Sequence, residues 1–183
     1  MVFDEDRSLI EEVLSGRLEA FEGLIRKYQK PIFYFVQRML RRQEDSDDVT
    51  QKTFVQAYRN LAKFRFESSF KTWLTKIAIN LARNQLRILS RSFFELDDQV
   101  ADEKTQNEME RREGEEEKIW LKQALDGLPP TQKEVVVLRI YDELSFKKIA
   151  QVVGSNEGTA KVNFHHGMRR LKEMYEKRRK SEE

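Results

Sequence analysis

Apolar residues recur every three or four positions along most of this chain, the repeat that gives a helix one oily face. Phe146, Ile149, Ala150 and Val153 form such a face, and Gly154 follows where a helix end takes up a left-handed backbone. The next run places Ala160, Phe164, Gly167 and Leu171 on one side and Lys161, Val162, His165, His166 and Arg169 on another; Ser155 or Asn156 can cap it. Ser145 to Leu171 therefore predicts two helices about a tight turn, one face packed and one free, with small Ala150 and Gly154 at the close approach. Upstream, Leu9, Ile10, Val13 and Leu14 predict a short helix closed by Gly16, and Phe21, Leu24, Ile25 and Tyr28 a second. Pro31 begins or kinks a third, in which Ile32, Phe33, Phe35, Val36, Met39 and Leu40 are apolar.

The run RRQEDSDDV offers Asp and Ser caps for a helix from about Asp47 to Leu61. That helix buries Phe54, Ala57, Tyr58 and Leu61 and turns Asp48, Gln51, Lys52 and Arg59 outward. After the loop KFRFESSF, Phe70, Trp73, Leu74, Ile77, Ala78 and Leu81 mark the buried side of a long helix, with Trp73 a packing residue. Periodicity fails from Ser92 to Glu117. Ile119, Trp120, Ala124, Leu125 and Leu128 then make a stripe stopped by Pro129 and Pro130, and Thr131 to Tyr141 carries Val135, Val136, Leu138 and Ile140 for burial. The tail EKRRKSEE is expected to fray in solvent. The expected fold is all-α: two small helical domains, residues 1–92 and 118–183, joined by a flexible acidic linker, 93–117.

Charge sharpens that division. Residues 1–92 carry 17 Lys and Arg against 12 Asp and Glu, the connector 3 against 11, and residues 118–183 carry 14 against 9, so the net +2 of the whole hides two basic blocks about an acidic one. Polyanions are the expected partners of the blocks. On the long helix, Lys76, Asn80, Arg83, Asn84 and Arg87 line up without an acid among them, long cations for phosphates and amides for bases. No apolar run reaches the roughly 20 residues that span a bilayer, and MVFDEDRSLI is unlike a secretion signal, so a cytoplasmic location without membrane insertion is expected. Without cysteine there is no disulfide or thiolate metal site. Adjacent His165 and His166 point about 100° apart on a helix, unlike a metal-binding i, i+4 pair; neither a metal nor another cofactor is expected.

Two ordered blocks, DSDDVTQKTFVQAYRNLAKF with SFKTWLTKIAINLARNQLR, and LPPTQKEVVVLRIYDELSFKKIAQVVGSNEGTAKV, resemble the extracytoplasmic-function sigma factors of bacterial RNA polymerase. The resemblance covers nearly all of the chain outside the connector. It implies a first domain of sigma region 2 that binds the clamp coiled coil of the polymerase β′ subunit and opens the −10 element. It implies a second domain of region 4 that meets the β flap and reads the −35 duplex through a helix-turn-helix. By position, Asp48, Gln51 and Phe54 match the core-binding helix. The loop from Phe64 to Ser69, with Phe64, Arg65 and Phe66, and the stripe Lys76, Asn80, Arg83, Asn84 and Arg87 match the −10 region. Lys161, Val162, His165 and His166 match base-facing positions at −35, with Arg139, Thr159 and Arg169 near phosphates. The connector matches a linker that threads the polymerase cleft, and an anti-sigma protein is an implied partner. Lys52 and Lys148 stand where the family favours Glu, Ala160 where Val is common, and Asn163 and His166 where Arg is frequent.

Two other readings stay open at this level. A stand-alone helix-turn-helix regulator would need a dimer interface for paired half-sites, and no spare apolar helix offers one. An enzyme acting on nucleic acid would need a phosphate loop, metal-ligand spacing or a paired carboxylate, and none stands out.

Overall fold

The computed structural model describes residues 5–40, 42–95 and 115–182, which form eight α-helices and no strand. They are α1 (Glu5–Leu14), α2 (Ala20–Met39), α3 (Gln43–Asn60), a single 3-10 turn over Leu61–Lys63, α4 (Phe70–Glu95), α5 (Glu115–Asp126), α6 (Pro130–Ile140), α7 (Phe146–Val153) and α8 (Glu157–Glu182). The body of the predicted linker, 96–114, lies outside the described residues. Among the described residues no helix is long and apolar enough to cross a membrane.

Several boundaries differ from the expectation, each for a physical reason. The two segments expected about Pro31 are one helix, α2. Leu24, Tyr28, Ile32 and Phe35 keep one face buried straight through the proline, and that burial outweighs the backbone hydrogen bond a proline forfeits. Helix α3 begins at Gln43 rather than near Asp47, and Ser46 does not cap it: its hydroxyl donates to the Arg42 carbonyl at 2.9 Å. Glu44 and Asp45 instead complement the dipole of the first turn. Tyr58, expected inside, is exposed and touches Phe21 edge-on at 5.1 Å between ring centres. Leu14, Ile119 and Ile140 are exposed as well. The C-terminal tail stays helical to Glu182, with Arg179 and Lys180 favourably placed in its last turn.

The principal apolar core crosses from one half of the chain into the other. It runs from Ile10 through Leu24, Phe35, Leu74 and Ala78 into Val137, Ile149 and Val152. A smaller core of Ala124, Leu125, Leu128, Val136 and Leu171 closes α5 on α6 and α8. Ile79 and Ala82, outside the predicted apolar face of α4, are fully buried. They share a side with Arg83, which bonds to α6 and α7, so α4 is covered by the second unit as well as by α2 and α3.

The close approach in the second unit falls at Gly167, not at Gly154. A Cβ on Gly167 would lie 2.7 Å from Cγ2 of Val136, whereas one on Gly154 would meet nothing within 4 Å. Because Val136 is buried and stiff about χ1, Gly167→Ala is expected to destabilise the chain by about 1–3 kcal/mol despite the better helix propensity of alanine. Urea denaturation followed by circular dichroism checks this, with Met168→Ala on the exposed neighbouring position expected within about 0.5 kcal/mol of wild type.

Candidate nucleic-acid interface

The pair α7 and α8 is built by its caps. The Ser145 hydroxyl accepts from the Lys148 amide, and α7 ends at Gly154 in a left-handed backbone with φ of 75°. Ser155 N–H returns to the Ala150 carbonyl at 2.9 Å, turning the chain sharply. Asn156, not Ser155, caps α8: its Oδ1 accepts from the Thr159 amide at 2.7 Å. Ala160, Gly167 and Leu171 face inward and Phe164 packs edge-on against Phe146 at 5.5 Å. Thr159, Lys161, Val162, His165, His166 and Arg169 face solvent together; Val162, apolar yet 54% exposed, sits among them. Lys161 pairs with Glu157 at 2.8 Å, which holds that carboxyl below the usual range, and a guanidinium nitrogen of Arg169 lies 3.1 Å from Nδ1 of His166. Such a surface, cationic at its edges and neutral in the middle, has the form that enters a major groove.

Arg139 is elsewhere. It donates to the Leu144 carbonyl at 3.0 Å and lies over the Phe146 ring, 5.1 Å from the ring centre, so it holds the turn into α7 rather than joining the free face.

On the first unit, Lys76, Asn80, Asn84 and Arg87 are exposed along α4, with Arg87 donating to Asn84 Oδ1 at 2.7 Å. Arg83 departs from the expected free stripe. Its Nε and Nη2 donate to the two carboxylate oxygens of Glu134 on α6 at 2.7 and 2.6 Å, and Nη2 also reaches the Val153 carbonyl at 3.2 Å. The hydrogen bonds to Glu134, and then its charge, keep the guanidinium pKa raised against the opposing effect of burial. The loop before α4 divides too: Arg65 and Phe66 are exposed, but Phe64 is only 7% exposed and packs on Phe66, Phe70 and Trp73 with ring centres 4.8 to 5.9 Å apart. Trp73 is half-buried in that cluster. Phe66 has φ of 57°, a left-handed backbone that a bulky residue adopts only where its surroundings force it; Arg7 covers its ring at 5.0 Å. Beside the loop lies a cavity of about 400 Å³ lined by Arg65, Ser68, Trp73, Lys76 and, from α7, Gln151.

The core-binding candidates line an open groove of about 1200 Å³ between α2 and α3, with Phe33, Tyr34 and Tyr58. Gln51 is exposed, Phe54 is buried in the groove wall, and Asp48 is ion-paired to Lys52 at 2.6 Å. The described residues contain no cluster of three or more side chains able to hold a metal.

The residues that join the two units were not singled out by periodicity. Lys133, buried, binds Asp126 at 2.6 Å and the Met39 carbonyl at 3.1 Å; Arg38 stacks over Tyr141 at 4.0 Å; Lys71 pairs with Asp142 at 3.4 Å. One signal was present. The unbroken run Val135 to Leu138 leaves no polar side, so this stretch of the helix is covered all round and its neighbours Lys133 and Glu134 with it.

An all-helical chain with a capped helix-turn-helix and a second unit bearing a cationic helix and an apolar groove defines a two-part DNA-binding protein. Residues 24–92 match sigma-70 region 2 and residues 118–171 match sigma-70 region 4. The chain is 34% identical over 86% of its length to the RNA polymerase sigma-H factor of Pseudomonas aeruginosa, of which 87% is covered. It is 31% identical to the ECF RNA polymerase sigma-E factor of Escherichia coli, over 85% of this chain and 86% of that one. Among solved structures, CnrH in complex with the cytosolic domain of CnrY matches with a TM-score of 0.73 and 24% identity, over 94% of this chain and 98% of that one. The sigma factor RpoE of Bartonella quintana, in complex with the anti-sigma factor NepR, matches with a TM-score of 0.69 and 22% identity, over 85% and 96%. The chain belongs to the sigma-70 family, in its extracytoplasmic-function class.

The buried setting of Phe64 separates packing from base contact. Phe64→Ala is expected to cost about 3–5 kcal/mol of stability, whereas Phe66→Ala, whose ring is exposed, is expected to cost about 1 kcal/mol or less. Thermal denaturation of the two variants checks the difference.

Proposed function

We propose that this chain binds core RNA polymerase and directs promoter-specific initiation, reading a −35 element as duplex DNA and a −10 element as separated strand. The observation that carries the reading is the α8 face: six residues, Thr159, Lys161, Val162, His165, His166 and Arg169, exposed together on a helix whose other side is packed. Thr159 and Arg169 contact phosphates, and Lys161 and Val162 with the imidazoles of His165 and His166 contact base edges, since neutral imidazole both donates and accepts. Arg139 acts at one remove, by fixing the turn into α7. On the first unit, Lys76, Asn80, Asn84, Arg87 and, once released from Glu134, Arg83 hold the strand backbone. Arg65 borders the cavity that takes an unstacked base, and the strained Phe66 follows it on the same loop.

The groove with Asp48, Gln51 and Phe54 at its wall receives the β′ clamp coiled coil, and residues 118–183 meet the β flap. An anti-sigma protein, such as the NepR bound to RpoE of Bartonella quintana, is the expected antagonist. The chain acts in the cytoplasm and is not itself an enzyme; the polymerase does the chemistry. A stand-alone regulator is disfavoured because both sigma regions, not the helix-turn-helix alone, are matched.

The test is transcription in vitro with core polymerase and a library of promoter-like templates, sequencing the start sites. A shared pair of upstream elements is expected. Absence of any promoter-dependent start above core alone would contradict the reading. With a promoter so identified, Arg169→Ala is expected to weaken holoenzyme binding evenly across sequences and to lower the salt dependence by about one phosphate contact. His165→Ala is expected to relax the preference at one or two −35 positions, each by about 1–3 kcal/mol.

A further inference from the structure

The contact between Arg83 and Glu134 places a carboxylate where a DNA phosphate would otherwise lie. A planar carboxylate and a tetrahedral phosphate each present two oxygens that accept two parallel N–H bonds from a guanidinium, and that bidentate fit is shared chemistry. Glu134 is 2% exposed on its side chain while Arg83 keeps 37%, so the acid is the fixed member and the cation the one with access to solvent. We propose that Glu134 is a built-in phosphate competitor: in the free chain it latches α6 onto α4, withholds Arg83 from single-stranded DNA, and is displaced when the two units separate on core polymerase. This rests on the assignment of α4 to strand binding given above.

Three further observations fit a latch that opens. The interface includes an apolar seam with Val137 and Val152, so it is more than one ion pair. It also carries a flaw: Oδ2 of Asp142 is buried without a hydrogen-bond partner, and burial raises that carboxyl's pKa despite Lys71 nearby. A contact that leaves a carboxylate half satisfied is costlier to keep closed than a fully bonded one. Finally, closure is one-sided. The α8 face remains exposed while Arg83 is held, so the closed chain blocks strand reading and leaves duplex reading uncovered.

The chain has no cysteine, so fluorophores placed through Gln56→Cys and Lys172→Cys, one exposed position on each unit, report the separation by energy transfer. The free chain is expected to show a single high-transfer population that moves to low transfer on adding core polymerase. Glu134→Gln is expected to shift the free chain toward low transfer. It should also raise its affinity for short random-sequence single-stranded DNA roughly tenfold, the gain when a closed state about ten times more populated than the open one is removed. The charge swap Arg83→Glu with Glu134→Arg is expected to restore high transfer and to abolish the gain in DNA affinity. Helicity by circular dichroism shows whether each variant is folded; should Glu134→Gln unfold, Arg83→Gln read by transfer alone replaces it. Low transfer in the free wild-type chain, or variants that leave transfer at the wild-type value, would overturn the latch. Transfer reads closure whether or not the chain supports initiation, so a failed transcription assay with intact closure counts against the function and not against the latch.

Discussion

Glu134 and Lys133 are neighbours near the start of α6, and both are buried. A buried charge is tolerable only with a partner in good geometry, and each of these reaches outside its own helix: Glu134 to Arg83 on α4, Lys133 to Asp126 and to the end of α2. The placement of α6 against the first unit follows from that requirement. Desolvation offsets much of the Coulombic gain in such pairs, so what they supply is register more than stability. The valines beside them contribute the apolar area.

Around that fixed point the two halves behave differently. Helix α8 is held by its own unit, through the Asn156 cap, the close packing of Gly167 on Val136, and Phe164 against Phe146. Its outer face owes nothing to the first unit and is presented in either arrangement. Helix α4, by contrast, is shared: α2 and α3 cover one side, the second unit another, and Lys76, Asn80, Asn84 and Arg87 face solvent. A change in how the units meet therefore alters what α4 can bind and leaves α8 unchanged.

The amphipathic faces, the turn glycine and the free face of α8 were readable from residue order because they depend on contacts within a few turns of helix. Gly154 and the packed side Ala160, Gly167 and Leu171 are of this kind. Pro31 misled because tertiary burial of α2 overrides a local penalty, and Ser46 because its hydroxyl had a backbone carbonyl four residues back to bond instead. The role of Arg83 was out of reach for another reason: its partner lies 51 positions away, and periodicity reports which side of a helix is polar, not which distant acid meets it. Phe64 illustrates the same limit, since a loop aromatic can face in or out and only its neighbours Phe70 and Trp73 decide.

If one chain carries two separate DNA-reading surfaces, one for paired and one for separated strands, both should be engaged in a single holoenzyme–promoter complex. Permanganate probing of unpaired thymines, combined with nuclease footprinting of that complex, reads the two together. Protected duplex at the upstream element together with reactive thymines at the downstream element is expected. Protection of both elements with every thymine still paired would show that no surface of this chain holds a separated strand.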